Sequence, residues 1–378
     1  MKGQPIVALD IGSTKVACAI GLPHEDSGGV DLLGTALVPY PCVPEAWLAD
    51  PLMVGQTIEQ ALEATAVTGD LDRALVAVNP PSLESEQVRV TIPLGDEPIR
   101  IRTQDVDRLQ TSALHQALGV DREPLLVERL RCAGNGFDGI RDPRGLPATR
   151  LLGTFHILTI PMAAHRALVQ AVESAGLEVA RLTSTLPAAF ASLADDELSH
   201  QRVLLIDVGG HSTTLGVFVE GILHAAALVP WGGLTLVTTI AKDLGVTMDQ
   251  ALTWSLEGTG CRKPEVRSLI KHHWQLLEET IHTLLKGEPR PDAIGLSGRG
   301  VLMDGFAEWV ERSVGMTAVI CRSPRTNTLG DLSRQVGLST AIGILEMGTR
   351  ASPKGLLRSP HLFDRLIDRT KTVLAEYF

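Results

Sequence analysis

The 378-residue sequence predicts an α/β protein of two lobes built on one plan, with a small α+β segment inserted in the first and a central cleft. Two tight turns, each set between apolar runs in its own half of the chain, carry that expectation. The first turn is Asp10-Ile11-Gly12-Ser13-Thr14-Lys15, set between the apolar runs 6–9 and 16–20. The second is Asp207-Val208-Gly209-Gly210-His211-Ser212-Thr213-Thr214, set between the runs 203–206 and 215–219. Each reads as a β-hairpin whose tip offers backbone N–H groups to an anion, with an aspartate placed to hold a metal ion through water. The plainer role for each aspartate is an Asx cap on its own turn. Two such hairpins in separate halves point to two lobes gripping one polyphosphate from opposite sides. The halves share no obvious sequence identity, yet the second repeats the hairpin-plus-sheet layout of the first.

In chain order, 31–36 predicts a third strand, 56–64 a helix, and 73–78 a strand stopped by Asn79-Pro80-Pro81. From 83 to about 161 charged and apolar residues alternate, as in Gln87-Val88-Arg89-Val90-Thr91-Ile92, and one helix starts near Thr103. Thr103 and Asp105 suit its first turn. The turn Asp142-Pro143-Arg144-Gly145-Leu146-Pro147 precedes a strand over 154–160. A helix over 163–175, stopped by Gly176, and a strand over 179–182 return the chain to the first sheet. The second half opens with a three-strand meander over 203–228, then Pro230-Trp231-Gly232-Gly233 and a helix over 234–244. A helical region near 248–287 is clearest over 271–285, and a strand over 293–296 ends on Ser297-Gly298-Arg299-Gly300. A helix over 302–314, a strand over 317–321 and a helix over 339–347 complete this half.

Composition narrows the function classes. A hydrophobic content of 44% with 21% charged residues fits a soluble globular protein. The net charge of −10 argues against a nucleic-acid surface, which needs clustered Lys and Arg. The five cysteines (Cys18, Cys42, Cys132, Cys261, Cys321) form no CxxC pair, and Cys18 falls on an expected core strand. Reduced, buried thiols in a cytosolic protein are therefore expected. The first strand begins within a few residues of Met1, leaving no room for a signal peptide. No apolar run reaches the roughly 20 residues that span a bilayer. No general base stands out, since none of the 11 histidines has a partner at catalytic spacing. Any turnover of a polyphosphate held at the two turns is therefore expected to be weak.

The C-terminal segment carries a second signal. Residues 351–360, with their prolines and glycine, read as a linker. Leu362, Phe363, Leu366, Ile367, Val373, Leu374, Tyr377 and Phe378 then recur at helical spacing on one stripe, which suits insertion at a membrane interface. A helix docked on its own domain or on a neighbouring subunit is the alternative for that stripe.

The order of these parts resembles the actin, Hsp70 and sugar-kinase superfamily and, within it, the FtsA family of bacterial cell-division proteins. Residues 9–16 look like the superfamily's first phosphate loop, 206–214 like its second, and Leu296-Ser297-Gly298-Arg299-Gly300 like its adenosine motif. The Asp142-Pro143-Arg144-Gly145-Leu146 turn with its following strand is similar to the end of the inserted subdomain 1C of FtsA. Val229-Pro230-Trp231-Gly232-Gly233 resembles the segment after the third strand of its domain IIA. The resemblance implies an actin-like ATPase fold divided as IA (1–82), a 1C-like insert (83–161), a return to IA (162–200), IIA (201–240), IIB (241–290), and IIA with a final helix (291–350). A linker (351–360) and a membrane-targeting helix (361–378) come after these.

It also implies ATP with Mg²⁺ held by Asp10, Gly12, Ser13, Thr14, Lys15, Asp207, Gly209, Gly210, Ser212, Thr213, Gly232, Gly233, Ser297, Gly298 and Arg299. The metal would lie between Asp10 and Asp207. The implied partners are the C-terminal tail of FtsZ, further copies of the chain and the cytoplasmic membrane at the division site, with no nucleic acid. A PilM-like pilus adaptor of the same fold is the alternative, and a small-molecule kinase a more distant one. His211 and Arg299 stand where the superfamily carries glycines. A histidine is expected to strain a left-handed backbone there, so that His211→Gly would raise affinity.

Overall fold

The computed structural model of the chain describes residues 4–24, 29–40, 50–193, 198 and 200–350. The first lobe begins with β1 (Ile6–Ile11), β2 (Lys15–Pro23), β3 (Val30–Pro39), α1 (Pro51–Ala64) and β4 (Arg73–Ala77). An insert follows: β5 (Glu84–Pro93), β6 (Ile99–Arg100), α2 (Thr103–Ala117), β7 (Arg122–Gly134), β8 (Phe137–Ile140), β9 (Pro147–Ala148) and β10 (Arg150–Pro161). The chain then returns through α3 (Met162–Ser174), β11 (Glu178–Thr183) and α4 (Thr185–Ala191). The second lobe holds β12 (Arg202–Val208), β13 (Thr213–Val219), β14 (Ile222–Val229), α5 (Gly233–Leu244), α6 (Met248–Glu257) and α7 (Pro264–Leu284). It ends with β15 (Ala293–Ser297), α8 (Phe306–Val314), β16 (Ala318–Ile320) and α9 (Leu332–Arg350).

The duplication is visible in the sheets. The first has strand order β11-β4-β1-β2-β3 and the second β14-β13-β12-β15-β16. In each, three antiparallel strands form a meander and two strands join the first of them in parallel on its other side. β1 and β12 are therefore central strands, covered on both faces, which is why each is a near-continuous apolar run rather than an alternating one. The two aspartates stand at equivalent places, Asp10 opposite Ala17 and Asp207 opposite Thr214. α9 comes after the second sheet in the chain but packs on the first, burying Leu338, Ala341, Ile342 and Leu345 with Ala8, Ala17 and Ala19. Small residues on the sheet let the helix approach closely.

The insert is a separate sheet, β5-β10-β7-β8, with its own core of Val88, Val90, Leu109, Leu114, Leu151 and Phe155 beneath α2. β5 alternates exposed and buried residues toward its C-terminal end, the pattern of a strand with one wet face. Asp105 reaches back from the first turn of α2 to accept from Arg102 N–H at 2.9 Å, as its position suggests. The insert also leans on the second lobe. His156 Nδ1 pairs with Leu223 O at 3.1 Å and its Nε2 with Ser85 Oγ at 2.9 Å, while Gln87 Nε2 donates to His224 O at 2.8 Å. Burial lowers the His156 pKa to about 4, so the ring is neutral at physiological pH.

The expected helix over 302–314 is split. Arg299–Leu302 forms a single 3₁₀ turn and α8 starts only at Phe306, after Gly305 at φ +76°. The intervening backbone is committed elsewhere: Asp304 N–H donates to Leu256 O and Asp304 O accepts from Thr259 N–H. Those bonds hold the end of α6 and prevent a continuous helix. His272 is exposed and His273 is buried with Nδ1 on Leu269 O, so the pair does not converge on one site.

Candidate functional site

The two hairpin tips close with the same bond, Gly12 N–H to Lys15 O and Gly209 N–H to Ser212 O, each 3.0 Å. Tyr40 braces the first tip, with its hydroxyl donating to Gly12 O at 3.0 Å and its N–H to Thr14 O at 3.2 Å. The start of α5 braces the second: Gly233 N–H donates to Gly209 O and Leu234 N–H to Gly210 O, both at 2.9 Å. Tip carbonyls are thereby occupied. The N–H groups of Ser13, Thr14 and Gly210 make no hydrogen bond among the described residues. Free donors at a tight turn are what an anion site requires.

The tips meet across the cleft. His211 N–H donates to Ser13 Oγ at 3.3 Å, and a Cβ on Gly210 would collide with the Thr14 side chain. Only glycine permits that approach. Beside the tips lies a cavity of about 620 Å³, within the usual size range of small-ligand sites. Of the residues singled out from sequence, Asp10, Gly12, Ser13, Thr14, Lys15, Asp207, Gly209, Gly210, Ser212, Gly233, Gly298 and Arg299 line it. Three lie behind the wall. Thr213 is buried and donates to Trp231 O at 2.8 Å, Gly232 packs against the carbonyls of Gly209 and Gly210, and Ser297 is buried against Asp207.

The electrostatics centre on two carboxylates. Lys15 Nζ sits 2.8 Å from Asp10 Oδ2, both largely shielded from solvent. Asp207 keeps some surface toward the cavity, with protein on its other sides. Burial raises its pKa and the nearby Asp10 charge adds to this, while hydrogen bonds from Thr185 and Ser297 and the charge of Lys15 oppose it. Thr185 Oγ1 donates to Asp207 Oδ2 at 2.8 Å and accepts from Asn79 Nδ2 at 2.6 Å; Asn79 Oδ1 accepts from Ser184 Oγ at 2.7 Å. This chain of bonds runs from the end of β4 to the second-lobe carboxylate. Asn79 is legible in the sequence only as part of a strand stop, and Thr185 not at all, because their role arises from contact across more than a hundred residues.

His211 does not strain the second tip. Among the described residues the non-glycine positions at positive φ are Ala66 and Glu220, so the histidine sits in an ordinary backbone conformation. The backbone reason for expecting His211→Gly to tighten binding is therefore absent. Gly298 does need its type: it stands at φ +80°, and a Cβ there would run into Val208 O. Arg299 is exposed at the cavity wall, and its side chain makes no hydrogen bond or ion pair among the described residues.

Comparisons with known proteins speak to the family and the fold. A family model described as "SHS2 domain inserted in FTSA" matches residues 81–159, the span of the insert. The cell division protein FtsA of Pseudomonas aeruginosa is 24% identical over 94% of this chain and 92% of its own length. FtsA of Rhizobium meliloti is 31% identical over 66% of this chain and 59% of its own length. The chain belongs with the FtsA proteins, as a divergent member. Its fold is actin-like, and a chain of a PilM–PilN type IV pilus biogenesis complex superposes with a TM-score of 0.69 over 91% of this chain and 98% of that one. At 14% identity that likeness speaks for the fold alone.

The FtsA likeness carries a cell-division role. Among the described residues no group of three or more His, Cys, Asp or Glu could hold a metal ion, and no helix is long and apolar enough to cross a membrane. The four described cysteines, Cys18, Cys132, Cys261 and Cys321, are free and buried, and burial pushes the Cys18 thiol up to about 12. Cys42, the 351–360 linker and the stripe of Leu362, Phe363, Leu366, Ile367, Val373, Leu374, Tyr377 and Phe378 lie outside the described residues.

Proposed function

We propose that this FtsA-type chain binds ATP with Mg²⁺ between its lobes, self-associates, and tethers FtsZ polymers to the cytoplasmic membrane at the division site. The observation that carries the nucleotide is the facing pair of hairpins, each with unbonded tip N–H groups and an aspartate on one cavity. Phosphate oxygens would take the N–H groups of Ser13, Thr14 and Gly210, and Lys15 would turn from Asp10 to a phosphate. Two carboxylates without a third protein ligand suit Mg²⁺, which keeps several waters and leans on the phosphates it neutralises. In this reading the nucleotide acts as an assembly ligand that shifts the balance between conformations.

Partner and membrane roles rest on the FtsA likeness and on the C-terminal stripe. FtsZ would engage through its C-terminal tail at the smaller lobe of the second domain. The match over residues 81–159 favours this reading over a pilus adaptor. Co-pelleting with liposomes, with and without FtsZ and nucleotide, tests it. The full chain is expected to pellet with vesicles and to bring FtsZ down. Deleting residues 361–378 should abolish both while the two-lobed body stays folded. Phe363→Asp with Leu374→Asp should do the same, since each apolar side chain contributes roughly 1.5–3 kcal/mol at full burial and less at an interface. Undiminished vesicle binding by the double variant would dismiss the segment as the anchor, and unfolding on deletion would make it a docked helix instead.

A further inference from the structure

The duplicated tips differ in one respect: the residue that closes the turn is Lys15 in the first and Ser212 in the second. The first tip therefore carries a cation of its own. From the start of β2 the Lys15 side chain reaches back across the turn, and Nζ donates to Asp10 Oδ2 at 2.8 Å. The two side chains are 13% and 10% exposed, and among the described residues the Asp10 carboxylate has no other hydrogen-bond or ion-pair partner. The Lys15 charge also reaches Asp207, so this ammonium serves both cavity aspartates. Such a pair is costly to take apart. A carboxylate nine-tenths buried that loses its cation is left uncompensated, which costs more than the pair itself contributes. A divalent ion entering while the ammonium stays in place would meet like charge at short range. A polyphosphate drawing Lys15 away by itself would leave Asp10 ionised beside further negative charge. When both arrive, every charge is matched: the ammonium goes to a phosphate oxygen and the carboxylate to the hydrated ion.

We infer that Lys15 makes the site selective for a metal–polyphosphate complex over either part alone, by standing in for the metal ion at Asp10 until a polyphosphate draws it off. The inference rests on the nucleotide reading proposed above and gives Lys15 a task beyond touching a phosphate. Metal and polyphosphate are then coupled ligands. The factor by which the metal tightens the polyphosphate equals the factor by which the polyphosphate tightens the metal. The rival is a lysine that merely closes its own hairpin. Removing such a lysine would change stability but not what the two carboxylates bind.

Mn²⁺ takes the same oxygen ligands as Mg²⁺, and the electron paramagnetic resonance signal of the free ion reports its binding to the full chain without nucleotide. Lys15→Met should bind Mn²⁺ at least about tenfold more tightly than the parent, and adding Asp10→Asn should cancel the gain. Equal Mn²⁺ affinity in parent and Lys15→Met overturns the inference, as does a gain that survives Asp10→Asn. Should Lys15→Met fail to fold, Lys15→Gln keeps an N–H donor for Asp10 without the charge and should show the same gain. Calorimetry on the parent supplies an arm that needs no variant. ATP should bind at least about tenfold more tightly in Mg²⁺ than in a metal chelator, and equal affinity overturns the inference. Absence of ATP binding to the parent in Mg²⁺ removes the nucleotide reading itself, a result distinct from the others because the Mn²⁺ arm involves no nucleotide.

Discussion

Asp207 has opposite consequences for stability and for binding. Its carboxylate is held among buried groups and its pKa is raised, chiefly by burial. Below the unfolded-state pKa both states are protonated and nothing is lost. As pH rises toward the folded-state pKa, the unfolded chain ionises first and stability falls; above the folded-state pKa the whole penalty is present. Asp207→Asn should therefore raise the Tm at pH 7 by a few degrees, with the gain shrinking toward pH 4, in paired thermal melts. The same variant should weaken Mg²⁺–nucleotide binding by about tenfold or more, the size of a lost charge-assisted contact. Gly298 gives the complementary case, where a side chain cannot be added. Gly298→Ala should lose roughly 1–3 kcal/mol in urea unfolding, from the positive φ and the collision with Val208 O. Asp10 and Lys15 were legible from sequence because an aspartate ending an apolar run and a basic residue after the turn are local patterns. Asn79 and Thr185 were not, since nothing local marks two residues that meet only after folding.

Among the elements, the insert shows best how a strand contact carries a titration. His156 on β10 joins the insert to β14 of the second lobe, and its pKa falls to about 4 because burial disfavours the cation. A depressed histidine contributes stability that is full above its unfolded value near 6.5 and is lost as pH falls toward 4. The loss at pH 4 is of the order of 3 kcal/mol. His156→Gln should flatten the dependence of urea stability on pH between 6.5 and 4 relative to the parent; an identical slope would remove His156 as its source. Strands with a clear apolar signature were legible, β1 and β12 as continuous runs and β5 as an alternation. β7 was not, because Glu128-Arg129-Leu130-Arg131 interrupts its apolar pattern with charges that a two-sided strand in a small sheet can leave at its faces. The start of α8 was misplaced because Asp304 serves α6 through its backbone, a tertiary demand that outranks local helix propensity.

At the scale of the molecule, duplication explains why the proposed ligand site draws on both halves of the chain. Each sheet delivers one aspartate and one tight turn to the same cavity, and α9 crosses from the second sheet to pack on the first. The actin-like class was legible because the duplicated hairpins lie far apart in sequence yet match in order. How closely the tips approach was not, since it depends on Gly210 facing Thr14. The central claim is that the two hairpins hold one nucleotide jointly. A double-mutant cycle of Asp10→Ala and Asp207→Ala, read as Mg²⁺–ATP affinity by anisotropy of a fluorescent analogue, tests it most directly. Each single variant should lose about tenfold and the double variant clearly less than the product of the two, because both carboxylates serve one bound group. Unchanged affinity in either single variant, or strictly multiplicative losses, would contradict a shared site.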